Sequence, residues 1–98
     1  MRYRFSDKRL EALYTAEKGA EKYALGVVKA FFRVMALIAA MPDIRDLYKL
    51  KSLRCEKLSG ERQGQHSLRL NNQWRLIISI ETDDLGNQVV VIEIVDYH

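Results

Sequence analysis

A chain of 98 residues, of which 48% are hydrophobic and 30% charged, has enough apolar material for one small core and little for a second lobe. The longest apolar run, Val34 to Met41, is too short to cross a bilayer, and residues 1–9 contain no apolar signal segment. The single cysteine, Cys55, excludes an internal disulfide and a multi-cysteine metal site. We therefore expect residues 1–98 to form a single cytoplasmic domain, with no cofactor, no metal site and no membrane partner.

The first half of the sequence has helical periodicity. Residues 3–5 predict a short first strand, and Ser6 is the predicted N-cap of a helix that closes near Gly19. A second helix is predicted from about Ala20 or Tyr23 to Ala40, and Pro42 ends it. Because this helix carries two adjacent apolar stripes, we expect it to pack on more than one neighbour. Residues 43–48 predict a further helical turn.

After residue 52 the apolar residues alternate, which predicts strands joined by turn-rich connections. The expected fold class is α+β, with two N-terminal helices packed on one face of a mostly antiparallel four- to five-stranded sheet. The four predicted strands of this half are Arg54–Leu58, His66–Leu70, Trp74–Glu81 and Gln88–Val95.

Alternation along these strands assigns their side chains to two faces. The residues predicted to face the helices are Leu68, Leu70, Trp74, Leu76, Ile78, Ile80, Val90, Ile92 and Ile94, with His66 at the start of its strand as a partly buried, hydrogen-bonded residue. The residues predicted on the other face are Ser67, Arg69, Arg75, Ile77, Ser79, Val91, Glu93, Val95 and Tyr97.

Positive charge is concentrated in the middle of the chain, although the net charge is only +3. Clustered cations gain affinity for a polyanion by displacing counterions from phosphates, but from charge alone an ordinary solvated surface is the simpler explanation. Residues 49–75 contain only two glutamates against the basic residues Lys49, Lys51, Arg54, Lys57, Arg62, Arg69 and Arg75.

Two arginines are predicted to lie opposite each other in one hairpin. If residues 71–73 form a three-residue connection, Arg69 faces Arg75, and like charges placed opposite each other destabilise a sheet. Either the carboxylate of Glu93, on the neighbouring strand, or a bound phosphate can compensate this repulsion. The residues leave both interpretations open.

The last three residues combine a carboxylate, a phenol and an imidazole. Histidine is the side chain that most easily exchanges protons near neutral pH, so Asp96, Tyr97 and His98 are candidates for acid–base chemistry. A frayed polar tail would have the same composition. By itself this pattern indicates little.

The second half of the chain, residues 53–98, resembles the plasmid-maintenance killer proteins of the HigB type, which belong to the RelE superfamily of toxin–antitoxin systems. The shared pattern is leucine, a lysine-like residue, glycine, an acid, arginine, any residue and glycine, then a strand with serine and arginine, an asparagine loop, an aromatic–arginine pair and a closing Asp-Tyr-His. In this sequence the pattern falls on residues 58–64, Ser67, Arg69, Asn71, Trp74-Arg75 and Asp96-Tyr97-His98.

The resemblance implies metal-independent, ribosome-dependent cleavage of messenger RNA, and a HigA-like helix-turn-helix antitoxin as partner besides the ribosome and mRNA. The catalytic positions that it implies are Asp96, Tyr97 and His98, with Arg75 and Glu56. Phosphate or RNA backbone would be held by basic residues, namely Arg69 and Arg75 with Lys57, Arg62 and Arg54.

Two positions depart from the family pattern. Some members have histidine where this chain has Glu56 and lysine where it has Ser59, so a catalytically weakened protein that binds RNA or antitoxin is one alternative. Another is a ParE-type toxin, which uses the same fold to poison DNA gyrase by protein contact.

Overall fold

The computed structural model describes residues 1–97, which form a five-stranded sheet with helices on one face. The strand order is β1-β5-β4-β3-β2; β1 runs parallel to β5 and the other pairs are antiparallel, which confirms the α+β prediction. None of the described helices is long and apolar enough to span a membrane. The elements are β1 (Arg2–Phe5), α1 (Lys8–Ala16), α2 (Val27–Ala40), α3 (Asp46–Lys49), β2 (Glu56–Lys57), β3 (Gln65–Arg69), β4 (Trp74–Asp83) and β5 (Gly86–Asp96), with short 3₁₀ turns at Ala20–Lys22, Lys51–Leu53 and Gly60–Arg62.

The starts of both long helices differ from the predictions. The N-cap of α1 is Asp7, whose carboxylate accepts a hydrogen bond from the Arg9 backbone N–H at 2.7 Å, whereas the Ser6 backbone N–H donates to the Val91 carbonyl and extends the β1–β5 pairing. Gly26, at φ 95°, separates the turn at 20–22 from α2, so the second helix begins at Val27 rather than at residues 20–23.

The core lies between the sheet and the inner surface of α2. Its largest buried side chain is Phe31. The Phe31 ring packs edge-on against the Tyr14 ring of α1, with 6.2 Å between the two ring centres. The two predicted stripes of α2 contribute unequally: the stripe of Val27, Phe31, Val34 and Ile38 is fully buried, whereas in the other stripe Met35 is buried, Val28 packs half-buried against the cluster and Leu25, which precedes the helix, is fully exposed. The fully buried α2 residues are Val27, Phe31, Val34, Met35 and Ile38.

A β-bulge in β5 overturns part of the predicted face assignment. Ile77 lies opposite Glu93, but Ile78 lies opposite Val91, so Ile92 is an extra residue in β5. As a result Val91 belongs to the core cluster, together with Val89.

The predictions that Val90 and Ile92 face the helices and that Val91 faces away from them are therefore wrong. The other helix-facing assignments, Leu68, Leu70, Trp74, Leu76, Ile78, Ile80 and Ile94, are confirmed, because these residues pack in or against the same core cluster.

We predict that Val91→Ala destabilises the protein by about 2 kcal/mol, because it removes two buried methyl groups and leaves a cavity. Val95→Ala is the matched control: the same chemical change on the same strand, but at a half-buried position of the other face. Urea unfolding measures both variants. Equal losses of unfolding free energy, or a larger loss at Val95, would contradict the bulged register.

Candidate functional site

The two arginines of the β3–β4 hairpin do lie directly opposite each other, as predicted. Arg75 donates through Nη1 to the Asn71 carbonyl at 2.5 Å, and the Arg69 guanidinium donates to the Asn72 side-chain oxygen. The Asn71 side chain in turn accepts hydrogen bonds from the backbone N–H groups of residues 73 and 74, both at 2.8 Å. Oxygen atoms of the connecting loop therefore offset the repulsion between the two cations.

The end of β5 brings Tyr97 to the same corner of the sheet. Its backbone N–H donates to the Gln73 carbonyl at 2.6 Å, so the strand pairing continues past Asp96. The guanidinium carbon of Arg75 lies 4.4 Å from the centre of the Tyr97 ring, a cation–π contact. Asp96 accepts a hydrogen bond from the Gln73 side-chain amide at 3.0 Å. His98 lies outside the described residues.

Glu93 does not lie between Arg69 and Arg75. Its carboxylate accepts a hydrogen bond from Arg62 at 2.6 Å, and Arg62 also donates to the Gln65 side chain at 3.0 Å. These partners belong to β5 and β3, which flank β4. The Arg62 side chain therefore crosses β4 on the face of the sheet that the helices do not cover, called the open face below. None of the ion pairs found within residues 1–97 involves Arg69 or Arg75. The interpretation in which Glu93 neutralises the opposed arginines is therefore wrong.

Strand β2 places Glu56 and Lys57 on different faces. Glu56 lies opposite Ser67, which shares the face of Arg69, whereas Lys57 lies opposite His66. Glu56 is thus on the arginine face and two strands away from Arg75, with its side chain exposed. Arg54 precedes β2 as an exposed residue in the left-handed conformation, at φ 44°. Lys57 is on the face away from the paired arginines.

The partly buried His66 belongs to a small polar cluster that the sequence pattern did not reveal. Its Nδ1 lies 2.9 Å from the Tyr48 hydroxyl, which confirms the prediction of a hydrogen-bonded histidine. Burial lowers the pKa of His66, and the positive charge of Lys57 adds to this effect. Burial also raises the pKa of the neighbouring Cys55 thiol. Tyr48 comes from α3, and no sequence spacing relates that short helix to β3.

No group of three or more histidine, cysteine, aspartate and glutamate side chains that could hold a metal ion occurs in residues 1–97.

The fold is that of small bacterial toxins. The chain superposes on a YafQ mutant from E. coli over 98% of this chain and 93% of that one, with a TM-score of 0.62 and 11% identity. The YoeB/ParE toxin from Agrobacterium tumefaciens matches over 100% of both chains, with a TM-score of 0.59 and 12% identity. YoeB from Staphylococcus aureus matches over 100% of this chain and 97% of that one, with a TM-score of 0.54 and 20% identity.

Sequence comparison then defines the family. The family model of HigB, described as a RelE-like toxin of type II toxin–antitoxin systems, matches residues 3–98. Toxin HigB-1 of Vibrio cholerae serotype O1 (strain ATCC 39315 / El Tor Inaba N16961) is 34% identical over 77 residues, which cover 79% of this chain and 81% of that protein. The chain belongs to the HigB-like family of RelE-like toxins from type II toxin–antitoxin systems.

We predict that His66 makes stability depend on pH. Its pKa is lower in the folded protein than the ordinary 6.5, so the unfolded chain binds more protons between the two values and the unfolding free energy falls as the pH drops through about 6.5. Urea unfolding of wild type and His66→Gln at pH 7.5 and pH 5 measures this contribution, since the other titrating groups are common to both proteins. An identical pH dependence in the two proteins would contradict it.

Proposed function

We propose that this toxin is an mRNA endoribonuclease that acts on the ribosome, with its active site at the corner of the open face where β3, β4 and the end of β5 meet. The observation that carries the proposal is the convergence of Arg69, Arg75 and Tyr97. Two guanidiniums lie opposite each other, one of them stacked on an exposed phenol ring, and no carboxylate within residues 1–97 forms an ion pair with either.

The proposed reaction is an attack of the ribose 2′-oxygen on the adjacent phosphorus. The 2′-O–P bond forms while the P–5′-O bond breaks, a base takes the proton of the 2′-hydroxyl, and an acid gives a proton to the leaving 5′-oxygen. Cations stabilise the negative charge that develops on the non-bridging oxygens. These steps are within the chemistry of the side chains present.

In this proposal Arg69 and Arg75 hold the scissile phosphate. Arg75 donates through Nη1 to the loop carbonyls while its guanidinium lies over the Tyr97 ring, so Nε and Nη2 have no hydrogen-bond partner among residues 1–97 and can donate to a phosphate. Asp96 and Tyr97 hold the end of β5 against the loop, and the imidazole of His98 would protonate the 5′-oxygen. Glu56, on the arginine face of β2, is the candidate base.

Arg62, Arg54 and Lys57 would contact the RNA backbone away from the scissile bond. The side chains of Arg62 and Glu93 are 38% and 42% exposed, so their ion pair contributes at most about 1 kcal/mol and a phosphate can replace the carboxylate. Lys57 lies on the other face of β2, which suits a strand of RNA that wraps around this sheet edge rather than one confined to the open face.

The proposed partners are a HigA-like helix-turn-helix antitoxin, the ribosome and its mRNA. Support for an antitoxin comes from the family itself and from the Staphylococcus aureus YoeB structure, which is a complex with YefM.

We predict that Arg75→Ala lowers the rate of mRNA cleavage on programmed ribosomes by about 10²–10³-fold, the cost of losing one preorganised donor to a developing oxyanion. Arg33→Ala, which removes an exposed arginine on α2, is the matched control and should leave the rate unchanged. Circular dichroism and urea unfolding show whether both variants remain folded. Full cleavage by folded Arg75→Ala would remove this arginine from the site.

We also predict that His98→Ala abolishes growth arrest when the toxin is expressed without antitoxin, with a loss of about 10²–10⁴-fold in cleavage. Truncated transcripts should appear after induction of wild type and be absent for the variant. Full toxicity of His98→Ala would exclude His98 as the acid. DNA breaks and an SOS response with intact messages would instead identify a gyrase poison.

A further inference from the structure

Strand β5 is longer than the strand that covers its outer edge. β1 pairs with Gln88–Val91 only, since the chain turns into α1 after Phe5, whereas β5 continues to Asp96. On its other side β5 stays paired with β4 along this whole stretch. The last part of β5 therefore has a strand neighbour on one side and a gap on the other.

The backbone groups of Ile94 point into this gap. The Tyr97 N–H donates to β4, and polar groups alternate along an antiparallel ladder, so the N–H and C=O of Ile94 are directed away from β4. The Val91 carbonyl, on the same edge, accepts the Ser6 N–H. The backbone N–H and C=O of Ile94 have no such partner among residues 1–97, and Ile94 is only partly buried. One donor and one acceptor of a strand edge are thus open.

A groove of about 590 Å³ lies along this edge. It is lined by Glu93 and Ile94 of β5, by the start of α1, and by four residues of the connection that follows α1, namely Lys18, Gly19, Lys22 and Tyr23. The volume is in the range of sites that bind a small ligand or a short segment of chain.

The groove is positively charged. Both of its carboxylates are already paired, Asp7 with Arg9 and Glu93 with Arg62. The three lysines that line it are in none of the ion pairs found within residues 1–97, so they remain available to an anionic partner; they are Lys8, Lys18 and Lys22.

We propose that this groove binds an extended acidic segment of a partner protein, which adds to β5 as a short strand beyond β1. A peptide backbone supplies both the acceptor and the donor that Ile94 requires, and acidic side chains match the lysines. A phosphate group supplies acceptors only, so it would leave the Ile94 carbonyl unsatisfied. The site lies at the outer edge of β5, away from the arginine hairpin, and does not depend on the proposed cleavage.

The test uses the blocked pentapeptide acetyl-Glu-Val-Glu-Val-Glu-amide and amide NMR of the whole toxin. Peptide binding should shift the Ile94 resonance and slow the exchange of its amide hydrogen. The double variant Lys18→Glu/Lys22→Glu should weaken binding by about tenfold or more, whereas Lys29→Glu/Lys51→Glu, with the same change in net charge on exposed residues outside the groove, should bind as wild type. Equal weakening by both double variants would mean non-specific charge attraction and would overturn the proposal.

Two N-methylated peptides test the strand pairing itself. In an added strand only alternate N–H groups face β5, so methylation of one alternating set should abolish binding while methylation of the other set should leave it nearly unchanged. Equal effects of the two sets would overturn the proposal. So would a pentanucleotide RNA that shifts Ile94 when the peptide does not, since the groove would then be a nucleic-acid site.

Discussion

The extra residue at Ile92 determines on which face of the sheet the side chains in each half of β5 lie. Before the bulge, Val89 and Val91 face the helices, and after it Ile94 does. Without an insertion, strict alternation from Val91 would direct Glu93 into the apolar core, where an unpaired carboxylate is costly. The bulge keeps Glu93 on the open face and lets Tyr97 reach Arg75. Bulges often re-aim side chains near functional sites in this way.

The open face is organised by how its arginines are paired. Arg62 is held by a carboxylate, whereas Arg69 and Arg75 are held by neutral oxygens and an aromatic ring. Neutral partners position a guanidinium without cancelling its charge. Arg69 and Arg75 therefore keep a positive electrostatic potential, whereas the charge of Arg62 is largely neutralised by Glu93. This difference distinguishes the proposed phosphate-binding residues from the surrounding basic residues.

Much of this architecture could be predicted from the sequence, because period and turn chemistry are local properties. The strands, the end of α2 before Pro42 and the opposition of Arg69 to Arg75 all follow from alternation around a short loop. The face of Val91 could not be predicted, since a bulge of one ordinary residue leaves no compositional mark.

Other features depend on chain paths that no spacing encodes. The partner of Glu93 is Arg62, which lies in the connection between β2 and β3, whereas Glu93 is in β5. Likewise the sequence predicts Ser6 as the N-cap of α1. In the structure the Ser6 backbone N–H donates to the Val91 carbonyl, and Asp7 caps α1 instead. Such contacts are set by tertiary packing, which overrides local preference.

The most direct test of the central claim is a structure of the toxin on a ribosome programmed with mRNA whose 2′-hydroxyl at the cleavage position is methylated. Blocking the nucleophile holds the complex before reaction. The account predicts that the scissile phosphate lies within hydrogen-bond distance of the Arg69 and Arg75 guanidiniums, beside the Tyr97 ring. A message bound along the helical face, or a phosphate distant from both guanidiniums, would contradict it.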